Sequence, residues 1–459
     1  MPFRLLNFST LRLLILKNLP MKTRFPLRLF AVALCLTAGL TSAGASPLMP
    51  SPVSPPDGAD TAHELYVTLP GAAPYRIPAI ASTACGDILA FTDHRPCGSD
   101  IGYGEVDIMC RISRDGGRSW GEAFYVADGQ GDKAAEVWQT GFGDAAVVAD
   151  SRRDEVLIMC VCGKTPCWAG NYLPGQAESN PNPVARIRAK RDKKTGRWTF
   201  SSPIDVTESI YRLFVDAEGK PTVRSLFIGS GKICQSRVVK TGDYYRLYCA
   251  VWTRDGGNRV IYSDDFGETW HLLGALTDRP APGGDEPKCE ELPDGTVVLS
   301  SRAYGGRFFN TYTFTDAASG AGSWAEVAFS GAESLGTTAV TNSCNGEILL
   351  VPAVRQSDGA RLTLALQSVP LGPGRSHVGI YFKALTSASD YATPATLAWG
   401  WSGPYEVSRL GSAYSTMVRQ RDGSIGFLYE ESTHGADYTI VYRRLALEQI
   451  TRGVYRAGR

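Results

Sequence analysis

Tyr75-Arg76-Ile77-Pro78 opens a stretch that runs through Asp93-His94-Arg95-Pro96 and Ser99-Asp100 and closes on Ser113-Arg114-Asp115-Gly116-Gly117-Arg118-Ser119-Trp120. Two arginines and a carboxylate stand at the ends of short apolar strands, an arrangement suited to holding an anion. The closing octapeptide is a turn. Its Asp bonds backbone amides, its Gly residues accept positive φ, and its Trp packs beneath the hairpin. A second copy lies at Ser263-Asp264-Asp265-Phe266-Gly267-Glu268-Thr269-Trp270, and weaker versions end at Trp198 and Trp324. The four tryptophans recur at roughly 50 to 80 residues, an interval that fits one propeller blade with its loops.

The rest of the chain agrees with a repeated β unit. Short apolar or alternating runs at 87–92, 106–113, 145–162, 244–253, 260–263, 296–302, 347–354 and 424–430 are separated by Gly, Asp, Asn and Pro, and helix signals are scarce. The reading is all-β, with six four-stranded blades around a central axis. Aspartates that occur once per repeat are expected to be structural, because a catalytic group should occur once.

Residues 1–45 are set apart as a secretory leader. Lys22, Arg24 and Arg28 precede an apolar run from Leu29 to Leu40, and Ala43-Gly44-Ala45 has the small-x-small form of a cleavage site. Met21 is a plausible start. The run is too short and too interrupted to span a membrane, which takes about 20 apolar residues. Residues 46–60, rich in Pro and Ser, read as a spacer, and 61–459 as the folded domain. A secreted or periplasmic location follows as an expectation.

With 47 basic and 46 acidic residues the chain is nearly neutral, so neither nucleic acid nor an anionic membrane is an expected partner. Ten cysteines lie beyond the leader, an even number that permits disulfides. Cys160, Cys162 and Cys167 are close in sequence, but no histidine accompanies them, so they read as structural thiols or bridges. The five histidines are scattered and no Gly-rich loop opens a helix. No metal or cofactor is expected.

The octapeptide copies, known as Asp boxes, together with Tyr75-Arg76-Ile77-Pro78 resemble the sialidase (exo-α-neuraminidase) family. That family is a six-bladed β-propeller, and the resemblance covers essentially the whole chain after the spacer. It implies a substrate of sialylated glycans and three arginines that grip the sugar's carboxylate. Arg76, Arg302 and Arg375 match these; Arg307 and Arg361 compete for the last two places. Guanidinium forks suit such a carboxylate because they bind it bidentately. The resemblance further implies Tyr414 as nucleophile, Glu286 as its base and Asp100 as the acid that protonates the leaving oxygen. A neutral phenol can approach an anomeric carbon bearing a carboxylate where an anion would be repelled, but it needs a base beside it. Glu290 and Glu291 compete with Glu286; Asp93, Glu105 and Asp107 compete with Asp100. Arg95 resembles an extra arginine beside the site, Asp144 the partner of the N-acyl nitrogen, and Glu430 the carboxylate that holds Arg76. Trp138 could line the same pocket or sit in the core. A trans-sialidase and a non-catalytic lectin are the alternatives to a hydrolase.

Overall fold

The computed structural model describes residues 61–458; the leader, the spacer and Arg459 lie outside the described residues. Six sheets, antiparallel except where Gly231–Lys232 joins one of them in parallel, form the blades of a β-propeller. Blade one is Tyr75–Ser82, Ile88–His94, Asp107–Ser113 and Phe124–Ala127. Blade two is Phe142–Ala149, Glu155–Cys162 and Val184–Arg191, with Trp198–Phe200 and Ile204–Asp205 sharing its outer edge. Blade three is Leu247–Thr253, Gly257–Ser263 and His271–Leu272, with an inner edge broken into Leu226–Ile228 and Cys234–Gln235. Blade four runs from Pro287–Glu291 through Val297–Ala303 and Gly306–Asp316 to Ala321–Trp324. Blade five is Ile348–Arg355, Arg361–Pro370, Val378–Leu385 and Ser402–Glu406. Blade six is Ser412–Arg419, Ile425–Glu431 and Thr439–Leu445, and its outer strand is His63–Tyr66 from the other end of the chain.

Apolar side chains on the two faces of neighbouring sheets make the core. One cluster joins blades one and two through Phe91, Ile108, Val147, Ile158 and Ile187. Another joins blades five and six through Val351, Leu366, Met417, Phe427 and Val441. The 145–162 run, read from sequence as a single stretch, is a hairpin. Asp150 breaks it by accepting the backbone N–H groups of Arg152 and Arg153 at 2.9 and 2.7 Å, a local bond that competes with the strand ladder. The bridges that the cysteine count permits are not formed: all ten cysteines among the described residues are free. Among the described residues no helix is long and apolar enough to cross a membrane.

The two full Asp boxes have the same internal bonding. Asp115 Oδ1 accepts the N–H groups of Arg118 and Ser119 at 3.0 and 2.9 Å, and Ser113 Oγ accepts Gly117 N–H at 2.8 Å. Asp265 and Ser263 repeat this with Thr269 and Gly267 at 2.9 and 2.8 Å. The glycine of each box is where the adjoining blade arrives. A Cβ at Gly117 would stand 2.2 Å from the Tyr442 hydroxyl of blade six, and one at Gly267 2.6 Å from Leu157 of blade two. Trp120 meets Tyr442 edge-on at 4.9 Å, so this box also packs blade one against blade six. In the weaker copies Asp192 and Asp316 retain only their own turn bonds.

These bonds carry a pH signature. Slight burial raises the Asp115 carboxyl, but donors from Ser119, Ser113 and Arg118 outweigh it and hold the group down to about 2. A depressed carboxyl stabilises the fold above its unfolded pKa, about 3.9, and that contribution is lost as pH falls toward 2. Asp115→Ala is therefore expected to lower Tm by about 2 °C at neutral pH. The gap to wild type should close between about pH 4 and pH 2 in melts followed by circular dichroism.

Candidate active site

Bulges on the innermost strands set the site. Register shifts by a residue between Arg76 and Ala79, between Gly143 and Ala146, and between Ser412 and Ser415. Ile77 and Asp144 take φ of 58° and 54°, left-handed values that are unusual for any non-glycine residue and strained for a β-branched one. Such conformations persist only where neighbours hold them. Glu430 holds the first: its Oε1 accepts Ile77 N–H at 2.8 Å and Arg76 Nε at 2.8 Å. Its Oε2 accepts Arg76 Nη2 at 3.3 Å and Tyr414 N–H at 2.9 Å. One fully buried carboxylate thus fixes both the first arginine and the tyrosine strand.

Around the Tyr414 ring the three arginines converge. Arg76 and Arg375 place their guanidinium carbons 5.6 and 5.7 Å from the ring centroid, and Arg302 Nη1 lies 3.4 Å from the phenol oxygen. The phenol donates a short hydrogen bond to Glu286 Oε1, whose other oxygen accepts Arg302 Nη1 at 2.9 Å. Burial and the adjacent Glu286 carboxylate push the phenol well above its ordinary 10, while Arg302 acts in the opposite sense. Tyr414 is therefore neutral at rest, with its proton already directed at Glu286. Arg76 is matched by Glu430 and Arg302 by Glu286 and Asp285. Arg375 has no ion-pair partner among the described residues, which leaves a half-buried cation facing the tyrosine.

A second cluster lies alongside. Arg95 is buried, and its Nη2 stands 3.0 Å from Asp93, 2.9 Å from Asp100 and 3.9 Å from Asp144. Asp93 accepts the backbone N–H of Asp144 at 3.1 Å, which supports the second left-handed residue. Burial, then the Asp100 and Asp93 charges, push the Asp144 carboxyl well up. Arg76 and Asp93 are directly opposed on neighbouring strands of blade one, so the two clusters adjoin. Asp100 is 61% exposed at its side chain against 18% for Asp144. Asp100 alone of the pair faces solvent freely.

The competing residues go elsewhere. Asp107 pairs with His94 at 3.0 Å inside blade one, and Asp93 is enclosed. Glu290 bonds Lys232 and Arg237, and Glu291 bonds Ser236. Arg307 is fully buried against Ser300 and the carbonyls of Cys344 and Gly346, and Arg361 is exposed at a strand start. Trp138 is half-buried, edge-on to Phe142 at 5.9 Å, and packs against the core between blades one and two. Sequence reasoning gave no role to Asp285, Ser343 or Tyr438. Asp285 lies 3.3 Å from Arg302, Ser343 accepts Arg302 Nε at 2.9 Å, and the Tyr438 ring lies 4.9 Å from Arg76. The only sequence signal among them is that Asp285 directly precedes Glu286.

No protein-family model matches the chain. A sialidase from Micromonospora viridifaciens is 30% identical over 409 residues, 86% of this chain and 56% of that protein. This chain therefore spans little more than half the length of that relative. A Paraclostridium sordellii sialidase is 25% identical over 362 residues, 78% of this chain and 81% of that protein. The solved structure of a Hadza microbial sialidase superposes with a TM-score of 0.61 at 22% identity, covering 82% of this chain and 66% of that one. Along most of its length, carried on a six-bladed propeller, this chain is similar to sialidases.

Proposed function

We propose that the protein is a retaining exo-α-sialidase that releases terminal α-linked sialic acid from glycoconjugates through a covalent tyrosyl intermediate. The observation that carries this reading is the convergence of Arg76, Arg302 and Arg375 on a phenol hydrogen-bonded to Glu286. Three guanidiniums beside an uncharged nucleophile suit a sugar whose anomeric carbon bears a carboxylate. In this reading Arg375 supplies the unpaired charge, and Arg76 and Arg302 complete the grip.

The Tyr414 oxygen attacks the anomeric carbon as its proton passes to Glu286, and Asp100 protonates the departing glycosidic oxygen. Water then enters on the Asp100 side, gives its proton to that carboxylate and displaces the tyrosine, which recovers its proton from Glu286. Two inversions return the original configuration. Asp144 faces the N-acyl group, and Arg95 keeps Asp93, Asp100 and Asp144 together. The leader supports export and cleavage after Ala45, so the glycans met would be extracellular or periplasmic.

The test is turnover of a fluorogenic sialoside, with the first-formed product observed by proton NMR. The α-anomer should appear first and mutarotate. Initial release of the β-anomer would exclude retention, and no turnover would exclude the activity. Lactose included in the same assay would reveal transfer, as sialyllactose, if the enzyme is a trans-sialidase.

A further inference from the structure

Two residues beyond Glu286, whose carbonyl accepts Arg302 N–H at 3.2 Å just before the innermost strand Pro287–Glu291, stands Lys288, fully buried. In a strand, residues two apart project to the same side about 7 Å from each other. Lys288 Nζ bonds Asn345 Oδ1 at 2.8 Å and, among the described residues, no carboxylate lies within ion-pair distance. Asn345 is in turn held by donating to Ser230 Oγ at 2.9 Å. A buried ammonium supported only by neutral groups is costly to keep, and it persists where surrounding charge or function retains it. One further ionisable side chain lies here. Glu347 is fully buried; one of its oxygens accepts Thr416 Oγ1 at 3.2 Å and the other is unpartnered. Gly231 leaves the room, since a Cβ there would stand 3.2 Å from Lys288 Cε and 3.6 Å from Glu347.

We propose that Lys288 is a positioning residue for the reaction. Its charge, fixed by Asn345 beneath the Tyr414–Glu286 pair, favours the ionised Glu286 that must receive the phenol proton. This inference rests on the proposed sialidase mechanism and adds to it a buried cation that never meets substrate. The need is electrostatic. The substrate's carboxylate is added to a site that already holds Asp285 beside Glu286. Arg302 balances Glu286 by contact; Lys288 balances it from the axis.

The charged groups that face Lys288 come from several blades. Glu286 and Arg307 belong to its own blade, Glu347 to blade five and Asp144 to blade two; Glu347 is in turn faced by Glu290 and by Lys232, which lies between blades two and three. Burial brings the Lys288 ammonium down to about 8 and the Glu347 carboxyl up to about 6. Both groups are thus charged in a window near neutral pH.

The experiment is the pH profile of kcat and KM on a fluorogenic sialoside for wild type, Lys288→Met, Glu347→Gln and the double variant, each checked for folding by thermal melt. Lys288→Met should lower kcat roughly tenfold to a hundredfold, the effect of one unit charge at about 7 Å in a partly screened interior. KM should stay within about threefold, because the lysine does not touch the sugar. The acid limb of the profile should move to higher pH. Glu347→Gln should move that limb the opposite way, and the double variant should return toward wild type. Opposite shifts from the two substitutions are not expected of a merely structural role. An active wild type whose acid limb stays put in folded Lys288→Met, or moves the same way in both single variants, overturns the proposal alone. If Lys288→Met does not fold, the Glu347→Gln shift decides. An inactive wild type overturns the sialidase reading and this proposal with it.

Discussion

Tyr414→Phe is expected to reduce kcat on an aryl sialoside by about three orders of magnitude or more, with little change in substrate binding. The substitution removes one oxygen. The ring remains between Arg76 and Arg375, and Glu286 keeps its 2.9 Å bond to Arg302, so no buried carboxylate is stranded. What is lost is the atom that forms the covalent bond in the proposed mechanism, together with the proton directed at Glu286. A mechanism-based fluorosugar should label the wild type in a peptide containing Tyr414 and leave the variant unlabelled. Activity within about tenfold of wild type, or labelling on another residue, would remove Tyr414 as nucleophile.

Glu430→Ala should have the largest effect on the fold. Glu430 is fully buried and accepts four hydrogen bonds, two from Arg76 and one each from the backbones of Ile77 and Tyr414. Removing one member of a buried ion pair strands the other charge, at a cost of about 3–5 kcal/mol. The left-handed conformation of Ile77 loses its support at the same time. In a domain of this size that amounts to a fall in Tm on the order of 5 °C. Catalysis should fail along with stability, since Arg76 and Tyr414 are fixed by the same carboxylate. Glu430→Gln preserves shape and should fall between the two. A melt within 1 °C of wild type, as a rough threshold, would show that Arg76 finds another partner.

How far the sequence could be read follows from which interactions are local. Ser113 to Trp120 encodes its own turn, since Asp115 bonds amides three and four residues on. The repeat therefore announced itself, and with it the propeller. Arg76, Arg302, Arg375, Glu286 and Tyr414 were legible because their flanking residues resemble the family's, and the structure brings them together. The bulges at Ile77 and Asp144 were not legible. Nothing in Arg-Ile-Pro or Gly-Asp-Ala signals a left-handed residue, since Ile77 is supported by Glu430, 353 positions away, and Asp144 by Asp93, 51 positions away. Arg95 resembles an extra arginine beside the site, and its contacts with three aspartates, one of them 49 positions away, could not be read from its neighbours in sequence. The broken inner edge of blade three was hidden for a related reason. Gly231–Lys232 pairs in parallel with Phe142–Ala149 of blade two, a contact no local pattern encodes.

The pairing of His63–Tyr66 with Thr439–Leu445 has a consequence for biosynthesis. Thr68 meets Thr439 across 371 positions, so the earliest part of the domain to leave the ribosome waits for nearly the last. At about 5–20 residues per second that interval is roughly 20–75 s. Throughout it blade six is incomplete, and blade six carries both Tyr414 and Glu430. In the proposed mechanism a nascent or truncated chain therefore has no assembled nucleophile, and catalytic competence would arrive in one late step, with the joining of the two edges of blade six.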